Sequence, residues 1–286
     1  LVGGDDVTVY TDGRYAIPFA EAYIRHYERL TGEDDLLREL AVIARAPDPG
    51  PLTASAGVAI IGRNFPFHIA YDLAAGLVSR GKKPEASPCS TIDFHVLRDA
   101  TVLDPDETLD EYKGRVQRPF LVGHYAPERI GGATTASASG GAPQAQDQWK
   151  KVLQAVAAFD GKDPDSPGKT VGDPFPRARA NRIVKLLAEG KEEQAATEWG
   201  DALQNAPGAG LLASAAAASR RGALPPHSSS SDEAGESLEQ IKWLLDLIDL
   251  SENLPDGYIT CRIARDANGR IACDEASGAT TAGGAK

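Results

Sequence analysis

The chain has 286 residues, 42% of them hydrophobic, and carries 30 Lys and Arg against 41 Asp and Glu for a net charge of −11. That length can bury a good core in one or two domains. The acidic balance argues against a general nucleic-acid-binding surface and leaves room only for a local basic groove. Cys89, Cys261 and Cys273 are too few and too widely spaced for a disulfide framework or a zinc module. No apolar run approaches the roughly 18 residues of a membrane span, and a cytoplasmic protein is the simplest expectation. With no methionine and a start at Leu1, the chain is expected to begin inside a longer protein, with a hairpin's first strand upstream.

Gly3-Gly4-Asp5-Asp6 reads as a turn that enters a strand over 7–11. A helix follows with Pro18 in its first turn, apolar at Ile17, Ala20, Ile24, Tyr27 and Leu30, and stopping at Gly32. A second helical stripe of Leu36, Leu37, Leu40 and Ile43 closes at the proline-rich run from Pro47 to Pro51. Residues 52–61 alternate as a strand, with Ala54, Ala56, Val58 and Ile60 on one face. The other face carries Ser55, Gly57 and Ala59, small enough to admit a closely packed helix or a ligand. A helix from about Pro66, with Ile69, Leu73 and Leu77 aligned, ends at Gly81-Lys82-Lys83-Pro84. A strand over 91–97 then points Ile92, Phe94 and Val96 one way and Asp93 and His95 the other.

This order is that of the back portion of a ferredoxin-like or palm domain, an α+β architecture with an antiparallel sheet and helices on one face. The palm portion is expected over 1–125, followed by a low-complexity linker at 126–146. A small all-α domain is expected over 147–262, with a disordered insertion at about 206–236 and a disordered tail at 263–286. In that domain Trp149, Val152, Leu153, Val156 and Phe159 form one stripe, Ile183, Val184 and Leu187 another, and Ala195, Trp199 and Leu203 a third. Ser237-Leu238-Glu239-Gln240 has a capping-box pattern and starts a helix through Ile241, Leu244, Leu245 and Ile248.

The chemistry-bearing residues cluster at the start. Glycines at a turn leave room for a phosphate chain, and adjacent carboxylates hold hard cations. Two such ions can activate one oxygen and stabilise another in phosphoryl or nucleotidyl transfer. Gly3-Gly4-Asp5-Asp6 is also compatible with an ordinary turn. Lys82 and Lys83 stand where cations commonly complement a helix C-terminus, and Ser55 reads equally as a small core residue. Asp93 and His95 read as a solvent-facing pair, since no third metal ligand accompanies them. The tryptophans, at helical spacing, read as core anchors.

In their order and spacing these motifs resemble the second palm domain and C-terminal helical domain of the large subunit of type III CRISPR effector complexes. The residues that carry the resemblance are Gly3-Gly4-Asp5-Asp6, the strand from Leu52 to Ile60, and the Pro66-led helix ending in Arg80-Gly81-Lys82-Lys83. It continues through Ser90 to Leu97, the exit at Arg118-Pro119-Phe120 and the helix from Leu244 to Leu250. It covers 1–125 well and the remainder loosely.

The resemblance implies a nucleotidyltransferase that joins ATP into cyclic oligoadenylates when its RNA-guided complex senses foreign RNA. Asp5 and Asp6 would be the catalytic, metal-binding residues, holding Mg²⁺ or Mn²⁺ between the triphosphate and the attacking 3′-hydroxyl. Gly3 and Gly4 would let the phosphates approach, Ser55 would contact base or ribose, and Lys82 would neutralise the triphosphate; the residues alone do not separate Lys82 from Lys83. Implied partners are the other subunits of the effector, crRNA and target RNA through them, and ATP, with no membrane. The fragment alone is expected to be inactive. Two other readings compete: a catalytically silent scaffold for partner subunits, and a diguanylate cyclase. In the last the turn normally continues Glu-Phe, where this chain has Asp6-Val7.

Overall fold

The computed structural model describes residues 2–3, 6–45, 51–82, 89–98, 104–111, 116–123, 145–205, 208–213 and 233–263. Most of the expected linker and of the expected tail therefore lies outside the described residues, as do Gly4, Asp5 and Lys83.

A short hairpin opens the fold: β1 (Val2–Gly3) pairs antiparallel with β2 (Asp6–Val7), Val2 opposite Val7 and Gly3 opposite Asp6. The strand expected over 7–11 ends after Val7. Asp12 then caps α1 (Gly13–Glu33), its side chain accepting from the Arg14 N–H at 3.0 Å. The helix thus starts before the position its proline suggests, and Pro18 sits inside it rather than in the first turn. Its inner face also differs from the expected stripe. Ile17, Ala20 and Ile24 are buried as anticipated, but Glu21 and Glu28 complete that face while Leu30 turns to solvent.

Asp34 caps α2 (Asp35–Ile43) by accepting from the Leu37 N–H at 2.9 Å. No residue of α2 is buried: its apolar stripe, including Leu36 and Ile43, faces outward.

β3 (Ser55–Ile60), β4 (Thr91–Val96) and β5 (Phe120–Leu121) form a three-stranded sheet in that order. β3 and β4 run parallel, with Val58 beside Phe94, and β4 and β5 antiparallel. The antiparallel expectation is corrected to a mixed sheet: β3 and β4 are joined through a helix, the crossover connection that parallel neighbours require. That crossover is α3 (Phe67–Gly81), with Pro66 at its N-cap and Ala70, Leu73 and Leu77 buried.

Helices cover both faces of the sheet rather than one. The face of Val58, Ile92 and Phe94 packs into one core with Ile17, Ala20 and Ile24 of α1. The small face receives α3: a Cβ on Gly57 would lie 2.2 Å from the Ala74 carbonyl oxygen. Of the two occupants expected for that face, a helix is the one present.

Beyond α4 (Pro105–Glu111) and β5, the helices are α5 (Ala145–Phe159), α6 (Arg177–Ala188), α7 (Glu192–Asn205), α8 (209–213), α9 (Glu233–Asn253) and α10 (Asp256–Ile263). α9 begins before the expected capping box, and α8, inside the segment expected to be disordered, buries Ala209 and Leu212. Trp149, Trp199 and Trp243 are core residues as anticipated. Phe94, Phe120 and Trp149 stack in sequence, with centroids 6.3 and 6.0 Å apart, so the sheet core runs without a break into that of the helices. Among the described residues no helix is long and apolar enough to cross a membrane.

Candidate functional site

The sequence nominates two groups of residues, and the structure places them on different elements. Gly3 and Asp6 face each other across the β1–β2 hairpin, with Asp6 exposed. That hairpin is a two-stranded sheet of its own, so no backbone ladder joins Asp6 to β3. Gly4 and Asp5 lie outside the described residues. Among the described residues, no group of three or more His, Cys, Asp or Glu side chains is arranged to hold a metal ion. Adjacent carboxylates such as Asp5 and Asp6 nevertheless have the right donor type for Mg²⁺ or Mn²⁺, both oxygen-seeking cations.

Ser55 and Lys82, 27 positions apart in the numbering, sit on a strand and at a helix end that are linked to each other. The link is Thr91, the first residue of β4 and the register partner of Ser55. Its buried hydroxyl donates within reach of two acceptors, Ser55 Oγ at 3.0 Å and the Gly81 carbonyl oxygen at 3.2 Å. Lys82 follows directly as the exposed C-cap of α3, its N–H bonded to the Val78 carbonyl at 3.0 Å. Gly81 makes the approach possible, since a Cβ there would lie 2.5 Å from Thr91 Oγ1. The result ties the half-buried Ser55 hydroxyl to the helix end from which the exposed Lys82 follows. An alcohol and a cation are the group types that suit a ribose or base edge and a phosphate.

The same helix end is held by charge. Arg80 donates from Nη2 to Asp93 Oδ1 at 2.7 Å and from Nε to Oδ2 at 2.5 Å. Asp93 and His95 are 0% and 3% exposed, so the solvent-facing reading of this pair is corrected. α3 covers that face of the strand, and a buried carboxylate requires a partner such as Arg80. Burial, with the Arg118 and Arg80 charges, lowers the His95 pKa to about 3.

A second charged group, absent from the sequence reading, lies where the sheet meets α9. The buried Arg118 guanidinium donates from Nη1 to the Phe94 carbonyl at 2.7 Å and from Nη2 to Asp249 at 3.0 Å. It also lies 4.3 Å from the centroid of the Phe94 ring, in cation–π contact. Asp246, also buried, accepts from the Gln117 N–H at 2.7 Å and lies 3.1 Å from Arg118 Nε. Burial above all pushes the Asp246 carboxyl up to about 7, against the pull of Arg118 and the Gln117 N–H, with Asp249 and Asp93 adding to the rise. The available signal was the pair of acids three apart inside the apolar run from Leu244 to Leu250. A helix apolar on most sides is buried, and its acids then need cations.

No protein-family model, curated protein or solved structure matches the chain.

Proposed function

We propose that the chain is a nucleotidyltransferase-type palm subunit of an RNA-guided antiviral effector that converts ATP to cyclic oligoadenylates with two divalent metals. The observation that carries this reading is the pairing of Gly3 with Asp6 across a tight hairpin at the start of an α+β unit. The Ser55–Thr91–Gly81 contact, with Lys82 beside it, supplies hydroxyl and cation groups of the kind a nucleotide needs. Asp5 and Asp6 would hold Mg²⁺ or Mn²⁺, which lowers the barrier by neutralising the triphosphate and activating the attacking hydroxyl. Ser55 would orient the nucleoside, and Lys82 would bind phosphate oxygens as a point charge. Manganese titration followed by electron paramagnetic resonance tests the metal assignment. The unaltered chain should bind Mn²⁺ at a site that the Asp5→Ala, Asp6→Ala double variant lacks. Equal binding by both proteins would remove Asp5 and Asp6 from the mechanism.

A second reading, a catalytically silent scaffold, draws on a different observation. Tyr15, Phe19 and Tyr23 of α1 and Leu36, Leu40, Val42 and Ile43 of α2 are all exposed. Concentrated apolar exposure of this kind commonly marks a surface that another protein covers. The two readings differ in whether substituting Asp5 and Asp6 matters.

A further inference from the structure

We propose that Thr91 is a positioning residue that holds Ser55 and Lys82 at a fixed separation, so that the two act as a single nucleotide-contacting unit. This rests on the reading of Ser55 and Lys82 as nucleotide contacts.

Three observations converge on it. Thr91 is 0% exposed, yet carries a hydroxyl at a position where valine would fill the same volume on a strand. That hydroxyl reaches both Ser55 Oγ, at 3.0 Å, and the last carbonyl of α3 before Lys82, at 3.2 Å. Gly81 gives up a side chain so that the two backbones can close, since its Cβ would lie 2.5 Å from Thr91 Oγ1 and 3.6 Å from Ser55 Cβ. Arg80, on the other side of Gly81, is fastened to Asp93, two residues along β4 on the same face. The backbone that carries Lys82 is thus held to β4 on the residue before it and the one before that. A buried threonine with both acceptors in reach keeps the helix end and the strand start in one geometry. Replacing it with valine removes both hydrogen bonds and loosens the end of α3 against the start of β4. Ser55 and Lys82 would each remain, but without the hydrogen-bonded link between the strand and the helix end that carry them.

The test is calorimetric titration of ATP with Mn²⁺ into the 286-residue chain, well below its melting temperature. Five proteins are compared: unaltered, Lys82→Ala, Thr91→Val, Thr91→Ser, and the Thr91→Val, Lys82→Ala double variant. Thr91→Val should weaken ATP binding about five- to tenfold, the range of one or two lost hydrogen bonds, whereas Thr91→Ser should stay within about twofold. Once Lys82 is gone its placement no longer matters, so the double variant should bind about as weakly as Lys82→Ala alone. A purely structural threonine would lower the melting temperature, leave affinity unchanged and give additive effects; that result overturns the proposal while leaving Lys82 as a contact. No ATP binding by the unaltered chain, or no loss in Lys82→Ala, overturns the nucleotide reading and the proposal together. Should Thr91→Val not fold, Thr91→Cys keeps the volume, weakens both hydrogen bonds and carries the same expectation.

Discussion

Arg118 donates to Asp249 at 3.0 Å across 131 residues of sequence, and the same guanidinium reaches the Phe94 carbonyl at 2.7 Å. One side chain therefore fastens the centre of β4 to α9. Both charges are almost fully buried, with side-chain exposures of 1% and 4%. A pair of this kind contributes modest net stability when intact and is costly to break.

Arg118→Met should consequently leave Asp246 buried without its cation and Asp249 with Arg98 alone, and destabilise the fold by about 3–5 kcal/mol. Urea unfolding followed by far-ultraviolet circular dichroism measures this. Adding Asp246→Asn and Asp249→Asn to Arg118→Met should recover part of the loss, because no uncompensated charge then remains.

The pH dependence of stability contains two opposed contributions. Asp246 holds its proton in the fold up to about pH 7, whereas an unfolded aspartate releases it near pH ~4. Between those values the folded state binds more protons, so stability from this group falls as pH rises. His95 stays neutral in the fold down to about pH 3, while an unfolded histidine takes a proton near pH ~6.5. There the unfolded state binds more protons, so stability from this group rises with pH and is complete above ~6.5. Across roughly pH 4 to 6.5 the two slopes oppose each other. Asp246→Asn should therefore expose a stability that climbs through this window, and His95→Gln one that declines through it toward pH 7. Unfolding free energies for both variants, measured over the window, check the signs; parallel slopes would contradict the assignment.

Gly57→Ala tests how closely α3 lies on β3. The new Cβ would fall 2.2 Å from the Ala74 carbonyl oxygen and 2.9 Å from the Val78 nitrogen. Both are backbone atoms and cannot rotate away. Over-packing of this kind costs about 1–3 kcal/mol where the structure can adjust, and the backbone contact places Gly57→Ala at or above the upper end. Thermal melts should show Gly57→Ala well below the unaltered chain, whereas Gly62→Ala, which meets nothing within 4 Å, should be indistinguishable from it.

The outward apolar stripe of α2 gives a prediction of the opposite kind. Val42 and Ile43 are 71% and 76% exposed. Val42→Lys with Ile43→Glu should change the unfolding free energy by no more than about 0.5 kcal/mol, as for ordinary surface substitutions. If the exposed stripe is a surface that another protein covers, as the scaffold reading proposes, the same double variant should co-purify with less bound protein. Equilibrium unfolding and co-purification separate the two effects; a large loss of stability would show that α2 is packed rather than presented.

Much of the sheet was legible because alternation is a local signal. Ile92 and Phe94 against Asp93 and His95, and the small row Ser55, Gly57 and Ala59, were both readable from period two. What could not be read was which row met solvent and which met another element. Glu21 and Glu28 sit on the inner face of α1 because Arg262 and Ser90, 241 and 62 residues away, bond to them. The exposed stripe of α2 looks in sequence like any buried one, since periodicity reports a face and not what covers it. Of the candidate site, the identities of Ser55 and Lys82 came from motif order. Their junction through Thr91 depends on the parallel register of β3 and β4, which no local pattern encodes.

The most direct test of the central claim is product analysis. The protein, together with the partner subunits and target RNA that the proposed function requires, is incubated with each of the four nucleotides and Mn²⁺ or Mg²⁺, and products are resolved by mass spectrometry. Cyclic oligoadenylates from ATP, absent when Asp5→Ala and Asp6→Ala are introduced without loss of assembly, are the predicted result. An assembled, folded complex that yields no nucleotide product with any metal would contradict the enzyme reading and leave the scaffold in its place.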